Sequence, residues 1–125
     1  MTEYDIAVIA GDGIGPEVTR EALKVLSAAA DVFGFRTRRT EYPFGTNHYL
    51  ATQEIFPEQA FEEIKQLQAI FLGAIGDPRV PVGLLEYGII AKLRFELDLY
   101  VNLRPFVTPH HDFIVIRENT EGTYA

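Results

Sequence analysis

The chain has 125 residues, of which 47% are hydrophobic and 23% charged, so it can form one hydrophobic core but not two full domains. Eighteen acidic against eleven basic residues give a net charge of −7, which argues against nucleic acid or an anionic membrane as the main partner. The absence of cysteine excludes disulfides, thiolate nucleophiles and cysteine-ligated metals. Since there is no long apolar run and no basic leader, we expect a cytoplasmic protein.

The first part of the sequence predicts a strand, a glycine turn and a helix. The apolar residues of Tyr4–Ala10 indicate a strand that is buried on both faces. After the turn Gly11–Gly15, apolar residues recur at helical spacing from Pro16 until Gly34 ends the helix. The β-branched and aromatic residues of Phe35–Tyr42 then predict an edge or half-exposed strand.

The middle of the chain predicts two further helices around a buried strand. We expect a loop over Pro43–Phe56, and a helix that begins at Pro57. Ala69–Ile75 is a predicted strand, and the prolines and glycines of Gly76–Gly83 indicate a surface loop. A third helix is predicted over Leu84–Leu97.

Two last strands are predicted at Leu99–Leu103 and Asp112–Arg117. This alternation indicates an α/β fold with an open, mostly parallel sheet and helices on both faces. Ligands of such sheets bind beyond the carboxyl ends of the strands. We expect the glycine turn, the Gly76 loop, Arg104 and Arg117 to lie there.

The glycine turn does not have the spacing of a dinucleotide fingerprint. Gly11, Gly13 and Gly15 form G-x-G-x-G, whereas the fingerprint requires G-x-G-x-x-G. The turn can hold a phosphate or be a tight turn without a ligand. Asp12 and Asp77 can bind a cation or ribose hydroxyls, or act only as turn formers.

Three arginines are candidates for anion binding. Arg94, Arg104 and Arg117 are far apart in sequence, but a parallel sheet could bring them to one rim, where they would suit a ligand with two carboxylates. They could instead be surface residues paired with Glu96, Asp98 or Glu118. Tyr124 is a candidate proton donor or a packing residue. The three histidines lack metal-ligand spacing and receive no role.

Four motifs resemble the isocitrate/isopropylmalate dehydrogenase family. They are Ile9-Ala-Gly-Asp-Gly-Ile-Gly-Pro-Glu17, Leu72-Gly-Ala-Ile-Gly-Asp-Pro78, the segment from Leu93 to Pro105 and Val115-Ile-Arg-Glu-Asn-Thr-Glu-Gly-Thr-Tyr124. The resemblance covers essentially the whole chain but only the amino-terminal third of such an enzyme. It implies an α/β fold without a true Rossmann domain, here incomplete, with residues 1–125 as a single partial domain.

The resemblance also implies a chemistry. Family members oxidise a 2-hydroxy acid that bears a 3-carboxylate, pass hydride to NAD or NADP and decarboxylate the product with Mg²⁺ or Mn²⁺; we expect NAD here. By resemblance, Arg94, Arg104 and Arg117 bind the substrate carboxylates and Tyr124 protonates the enol. The resemblance assigns cofactor contacts to Ile14, Gly76, Asp77, Glu86 and Asn102.

The start of the third helix indicates the substrate. Glu86 is followed by Tyr-Gly-Ile-Ile90, and the resemblance to isopropylmalate enzymes implies that Glu86 and Ile90 border the substrate, where isocitrate enzymes place a hydroxyl. Burial of an unpaired carboxylate against such apolar residues is costly. We therefore expect 3-isopropylmalate, an intermediate of leucine biosynthesis, with tartrate, D-malate or isocitrate as alternatives.

Two departures from the family pattern limit this expectation. The connection over residues 106–111 is shorter than in the family, which indicates a deletion. The chain also ends before the family's catalytic lysine and metal-binding aspartates, so we expect no metal ligands in it and no activity from it alone. A truncated dicarboxylate-binding or interaction module is the alternative. The resemblance implies a homodimer at full length.

Overall fold

The computed structural model describes residues 2–124, which divide into two compact units. The first unit ends at Ile89 and the second begins at Ile90. In the described range, no helix is long and apolar enough to cross a membrane.

A three-stranded parallel sheet forms the centre of the first unit. Its strands β1 (Glu3–Gly11), β2 (Arg36–Tyr42) and β3 (Ala69–Ala74) lie in the order β2-β1-β3. Alternating side chains of β1 point to opposite faces, and Ile6, Ala7, Val8 and Ile9 are all buried, so both faces of this strand are covered. The predicted parallel sheet, buried first strand and edge position of β2 are confirmed.

Helix α1 (Gly15–Phe33) packs against all three strands. It begins where Pro16 supplies a fixed φ at the first turn. It ends at Gly34, which is in the left-handed conformation with φ 71° and donates its amide to the carbonyl of Ala30. The predicted proline start and glycine stop are confirmed.

The expectation of a loop over Pro43–Phe56 is wrong, because α2 spans Thr46–Thr52. Two main-chain bonds frame this helix, from the Tyr49 amide to Gly45 and from the Gln53 amide to Tyr49. The predicted helix after Pro57 is α3 (Glu58–Lys65). Packing of Phe44 against Phe56, with ring centroids 4.9 Å apart, joins the segments before and after α2.

The predicted third helix has two parts. A π-helical turn spans Glu86–Ala91, and α4 follows at Lys92–Glu96. Single π-helical turns are rare and recur at functional sites. A helix over this region is confirmed, but its first half departs from the regular 3.6-residue period.

The last two strands form an antiparallel hairpin in the second unit. β4 (Val101–Val107) pairs with β5 (Asp112–Glu118), so the expectation that they extend the parallel sheet is wrong. The four residues between them close a tight turn in which the Thr108 amide donates to the His111 carbonyl over 2.8 Å. Strands joined this closely pair in antiparallel fashion because a parallel crossover needs a dozen or more residues. The deletion expected near residues 106–111 stays a prediction.

Candidate functional site

Asp12 links three loops at the carboxyl ends of the parallel strands. Its side chain is buried, and its Oδ1 accepts the Thr46 amide over 2.6 Å while its Oδ2 accepts the Gly76 amide over 3.1 Å. Its own amide donates to the carbonyl of Ala74 at the end of β3. Both carboxylate oxygens therefore take main-chain amides, which supports the turn-forming alternative for Asp12 over the binding of a cation or ribose.

The glycine turn is packed too closely for side chains. A Cβ on Gly11 would lie 2.0 Å from the carbonyl oxygen of Ala74, and one on Gly15 would lie 2.1 Å from that of Ala10. Gly13 has open space around it and a positive φ of 55°. Two of the three glycines thus allow close contact between main chains, and the third permits the left-handed turn.

Two predicted cofactor residues, Gly76 and Glu86, lie next to each other. A Cβ on Gly76 would come within 3.0 Å of Oε1 of Glu86, which begins the π-helical turn. Ile14, a third predicted cofactor residue, directly precedes α1 and is 68% exposed, as are several other large apolar side chains of this chain. The first unit therefore places an apolar side chain at the glycine turn and a carboxylate beside the Gly76 loop.

Asp77 is already held by an arginine that the sequence analysis did not single out. Arg79 donates from Nε to Oδ1 over 2.9 Å and from Nη2 to Oδ2 over 2.7 Å. These hydrogen bonds, with one from the Arg79 amide, lower the pKa of Asp77 to about 2. The Arg79 guanidinium also reaches Oδ1 of Asn47. A direct cofactor contact by Asp77 would compete with this pair.

In the second unit, the hairpin register places three predicted site residues on one face. Asn102 pairs with Arg117 across the strands, and Arg104 is two positions further along β4, so the three side chains share a face. The Nε of Arg104 donates to Oδ1 of Asn102 over 2.8 Å. The antiparallel register of the hairpin thus brings Arg104 and Arg117 together. The expectation that they meet at the carboxyl ends of parallel strands is wrong.

Asn119 was missed as a site residue. It is 7% exposed, accepts a hydrogen bond from Nη2 of Arg117 and donates to the carbonyl of Leu99. A buried amide that bridges this candidate arginine and the main chain fixes the orientation of the arginine. No periodicity in the sequence signals it, because it lies in the turn after β5.

The remaining predicted residues are on the helical segment and at the chain end. Arg94 is half-buried in the last turn of α4, and Ile90 is half-buried in the π-helical turn. Among the alternative partners suggested for the arginines, Glu96 forms an ion pair with Lys92 at 3.1 Å. Tyr124 ends a short 3-10 turn, Gly122–Tyr124, and its side chain lies outside the described residues.

Within residues 2–124, no group of three or more histidine, aspartate or glutamate side chains could hold a metal ion.

Comparison with known proteins decides the family. The profile of the isocitrate/isopropylmalate dehydrogenase family matches residues 5–125. The chain belongs to this family. Its members include 3-isopropylmalate dehydrogenases of Mycolicibacterium vanbaalenii and Thermobifida fusca, which are 50% and 49% identical to this chain over 96% of its length. In both cases the chain spans only 38% of the relative.

Solved structures agree with the family assignment. A β-decarboxylating dehydrogenase from Thermococcus kodakarensis superposes with a TM-score of 0.75 at 35% identity, over 95% of this chain and 35% of that one. An isocitrate dehydrogenase from Methylococcus capsulatus has a TM-score of 0.77 at 28% identity, over 97% and 36%. The fold of the family, a mostly parallel sheet with helices, is therefore confirmed for this portion.

Proposed function

We propose that this chain supplies the substrate-binding arginines and part of the cofactor site of an NAD-dependent oxidative decarboxylase. The substrate is a 2-hydroxy-3-carboxy acid, and our specific candidate is 3-isopropylmalate. The proposal is supported most directly by the hairpin face that carries Asn102, Arg104 and Arg117. The activity named in the relatives at about half identity supports the same reaction.

The hairpin face suits a dianion. Two guanidinium groups on neighbouring strands can each hold one carboxylate through a pair of parallel hydrogen bonds. The Asn102 and Asn119 side chains occupy part of each guanidinium and orient it, so the arginines are positioned before a ligand arrives. In the proposed site, Arg94 supplies a third cation near the substrate.

In the proposal, Glu86 and Ile90 determine which substrate is bound. The π-helical turn begins with Glu86, and the positions that follow include the apolar Ile89 and Ile90 rather than hydroxyl residues. A branched aliphatic group could pack against Ile90, whereas a third carboxylate would lose its hydration without gaining a donor. This favours 3-isopropylmalate over isocitrate.

The residues present fit part of an NAD site. Ile14 offers exposed apolar surface at the glycine turn, and Gly76 leaves room beside the Glu86 carboxylate. Ile14, Gly76 and Glu86 of the first unit would hold the cofactor, which accepts hydride from the substrate when bound. In the proposal, Asp77 acts on the cofactor site indirectly, by holding Arg79, because that arginine already engages both carboxylate oxygens of Asp77.

The described residues do not fit the family's divalent metal, since none of them forms a cluster of ligands. In the proposal, the ligands of Mg²⁺ or Mn²⁺ come from the part of the family sequence that this chain does not span. This chain binds and orients the substrate, and Tyr124 is the proposed proton donor to the enol. We also propose that the active form is a homodimer.

A second candidate function is a dicarboxylate-binding module without catalysis. Its support is the hairpin face, because Asn102, Arg104 and Arg117 can hold a dianion without a metal or a cofactor. Both candidates predict binding of the substrate. Only the first predicts turnover once the remaining part of the family sequence is present.

Calorimetric titration of the chain with 3-isopropylmalate tests the shared binding step. We expect Arg104→Ala to weaken binding by about tenfold or more, since a hydrogen bond to a charged group contributes about 1.5–3 kcal/mol. Arg36→Ala is the matched control, because Arg36 is an exposed arginine at the start of β2. Equal losses in the two variants, or a large drop in the melting temperature of the Arg104 variant, would contradict the proposed role.

A further inference from the structure

The first unit contains a cavity of about 420 Å³ between α1 and the β1–β2 part of the sheet. This volume lies within the range of small-molecule pockets, about 300–1,000 Å³. Its apolar lining includes Val8, Ala10 and Leu23, and its charged lining includes Arg39 and Glu41 on β2. None of these five residues has a role in the proposed dehydrogenase site.

Arg39 is the cation of this cavity that lacks a carboxylate partner within residues 2–124. Its half-buried guanidinium donates from Nη2 to the Ser27 hydroxyl over 2.9 Å and from Nε to the Thr37 hydroxyl over 3.0 Å. The other two cations of the lining, Arg20 and Lys24, both pair with Glu21 on α1. A half-buried cation that contacts only neutral groups is a favourable position for an anion.

Glu41 supplies the opposite charge on the same face. It lies two residues after Arg39 on β2, so both side chains point to the α1 side and their Cα atoms are about 7 Å apart. A simple carboxylate bound at Arg39 would be repelled by Glu41. A zwitterion satisfies both residues, with its carboxylate at Arg39 and its ammonium group at Glu41.

We propose that this cavity binds a small α-amino acid with an aliphatic side chain. The carboxylate is held by Arg39, the ammonium group by Glu41, and the aliphatic group contacts Val8, Ala10 and Leu23. Such a site does not depend on the dehydrogenase reaction, so it can be tested on the chain as it is.

The test compares three probes that share one branched aliphatic group, with binding followed by the NMR shifts of the Val8 and Leu23 methyl groups. L-leucine carries both charges, 4-methylpentanoate lacks the ammonium group and 3-methylbutylamine lacks the carboxylate. We expect saturable binding of L-leucine and at least about tenfold weaker binding of the other two. No saturable binding, or equal affinity for L-leucine and either analogue, would overturn the proposal.

Variants then assign the charges. Arg39→Gln should weaken the binding of L-leucine by about tenfold or more. Arg36→Gln should leave this binding unchanged, because Arg36 is on the same strand but outside the cavity lining. Glu41→Gln should weaken the binding of L-leucine, whose ammonium group loses its carboxylate partner. It should not weaken the binding of 4-methylpentanoate, because it removes the repulsion between Glu41 and that carboxylate. Glu41 is exposed, so this variant stays testable if loss of the Arg39 hydrogen bonds prevents folding. If the two arginine variants change L-leucine binding equally, Arg39 does not hold the carboxylate. If the Glu41 variant weakens binding of both L-leucine and 4-methylpentanoate, Glu41 does not hold the ammonium group.

Discussion

Asp12 is the residue whose side chain holds the loops after β1, β2 and β3 together. Both of its carboxylate oxygens accept main-chain amides, from Thr46 and from Gly76. Asp12→Ala leaves these two amides without an acceptor, and each unsatisfied buried donor costs about 1–3 kcal/mol. We expect the variant to lower the free energy of unfolding by about 3 kcal/mol, measured by urea denaturation.

Asp31→Ala is the control for this experiment, because Asp31 is an exposed aspartate on α1. Its loss should change the free energy of unfolding by less than about 0.5 kcal/mol. If the two variants unfold at the same urea concentration, the Asp12 carboxylate does not hold the loops together in solution.

The pair of Asp77 and Arg79 predicts a pH dependence at the same edge of the sheet. The arginine lowers the pKa of Asp77 from 3.8 to about 2. Because this folded-state pKa is depressed, the contribution of the pair to stability is complete above pH 3.8 and is lost as the pH falls through about 2. An NMR titration of the Asp77 carboxyl carbon should give a midpoint near 2, and Arg79→Gln should return it toward 3.8. An unchanged midpoint in the variant would rule out the pair as the cause.

At the scale of elements, the sequence predicted those with strong local signals. The apolar run of β1 and the proline and glycine that bound α1 identified both elements, because each signal restricts the backbone directly. Helix α2 gave no such signal. Its seven residues include two threonines and an asparagine, which are weak helix formers, and its ends are set by Gly45 and Gln53. Local pattern could not reveal a helix that tertiary packing stabilises.

The sequence predicted that two of the candidate site residues lie close together, but not the geometry that brings them there. Arg104 and Arg117 were expected to lie together, and they do share a face, but through an antiparallel hairpin. The short connection between them was visible in the sequence, and strand direction could have been inferred from its length. The orientation of Arg117 by Asn119 required knowledge of which turn residues become buried, which the sequence pattern does not contain.

The approach to α2 provides a test at this scale. Gly45 has φ 154°, and a Cβ there would lie 2.8 Å from Oδ1 of Asp12. Gly13 has φ 55° and open space around it. We expect Gly45→Ala to destabilise the chain more than Gly13→Ala. At Gly13 an alanine bears the left-handed strain of about 1–2 kcal/mol, whereas at Gly45 it meets a backbone conformation that essentially only glycine adopts, and a steric conflict with Asp12. Thermal unfolding of the two variants measures this difference, and equal melting temperatures would contradict it.

At the scale of the whole molecule, the proposed reaction has a binding part and a catalytic part, which need different groups. The candidate contacts to substrate and cofactor are present, but the described residues contain no cluster of metal ligands. The chain also spans only 38% of the length of its relatives. Oxidation of the hydroxyl requires a base and, in this family's reaction, a metal that stabilises the developing charge. We propose that the candidate arginines bind the substrate independently of the groups that carry out this oxidation.

We expect the 125-residue chain to bind 3-isopropylmalate but to form no NADH from NAD, 3-isopropylmalate and Mn²⁺, followed by absorbance at the nicotinamide band. The 3-isopropylmalate dehydrogenase of Mycolicibacterium vanbaalenii, 50% identical over the shared portion, is the positive control. NADH formation that EDTA abolishes would show that the chain, alone or as an assembly of copies, carries a metal site that the described side chains do not form. If the Arg104→Ala variant forms NADH and binds 3-isopropylmalate as tightly as the unchanged chain, the hairpin face does not bind the substrate. A dianion held elsewhere would not depend on the Arg104 guanidinium.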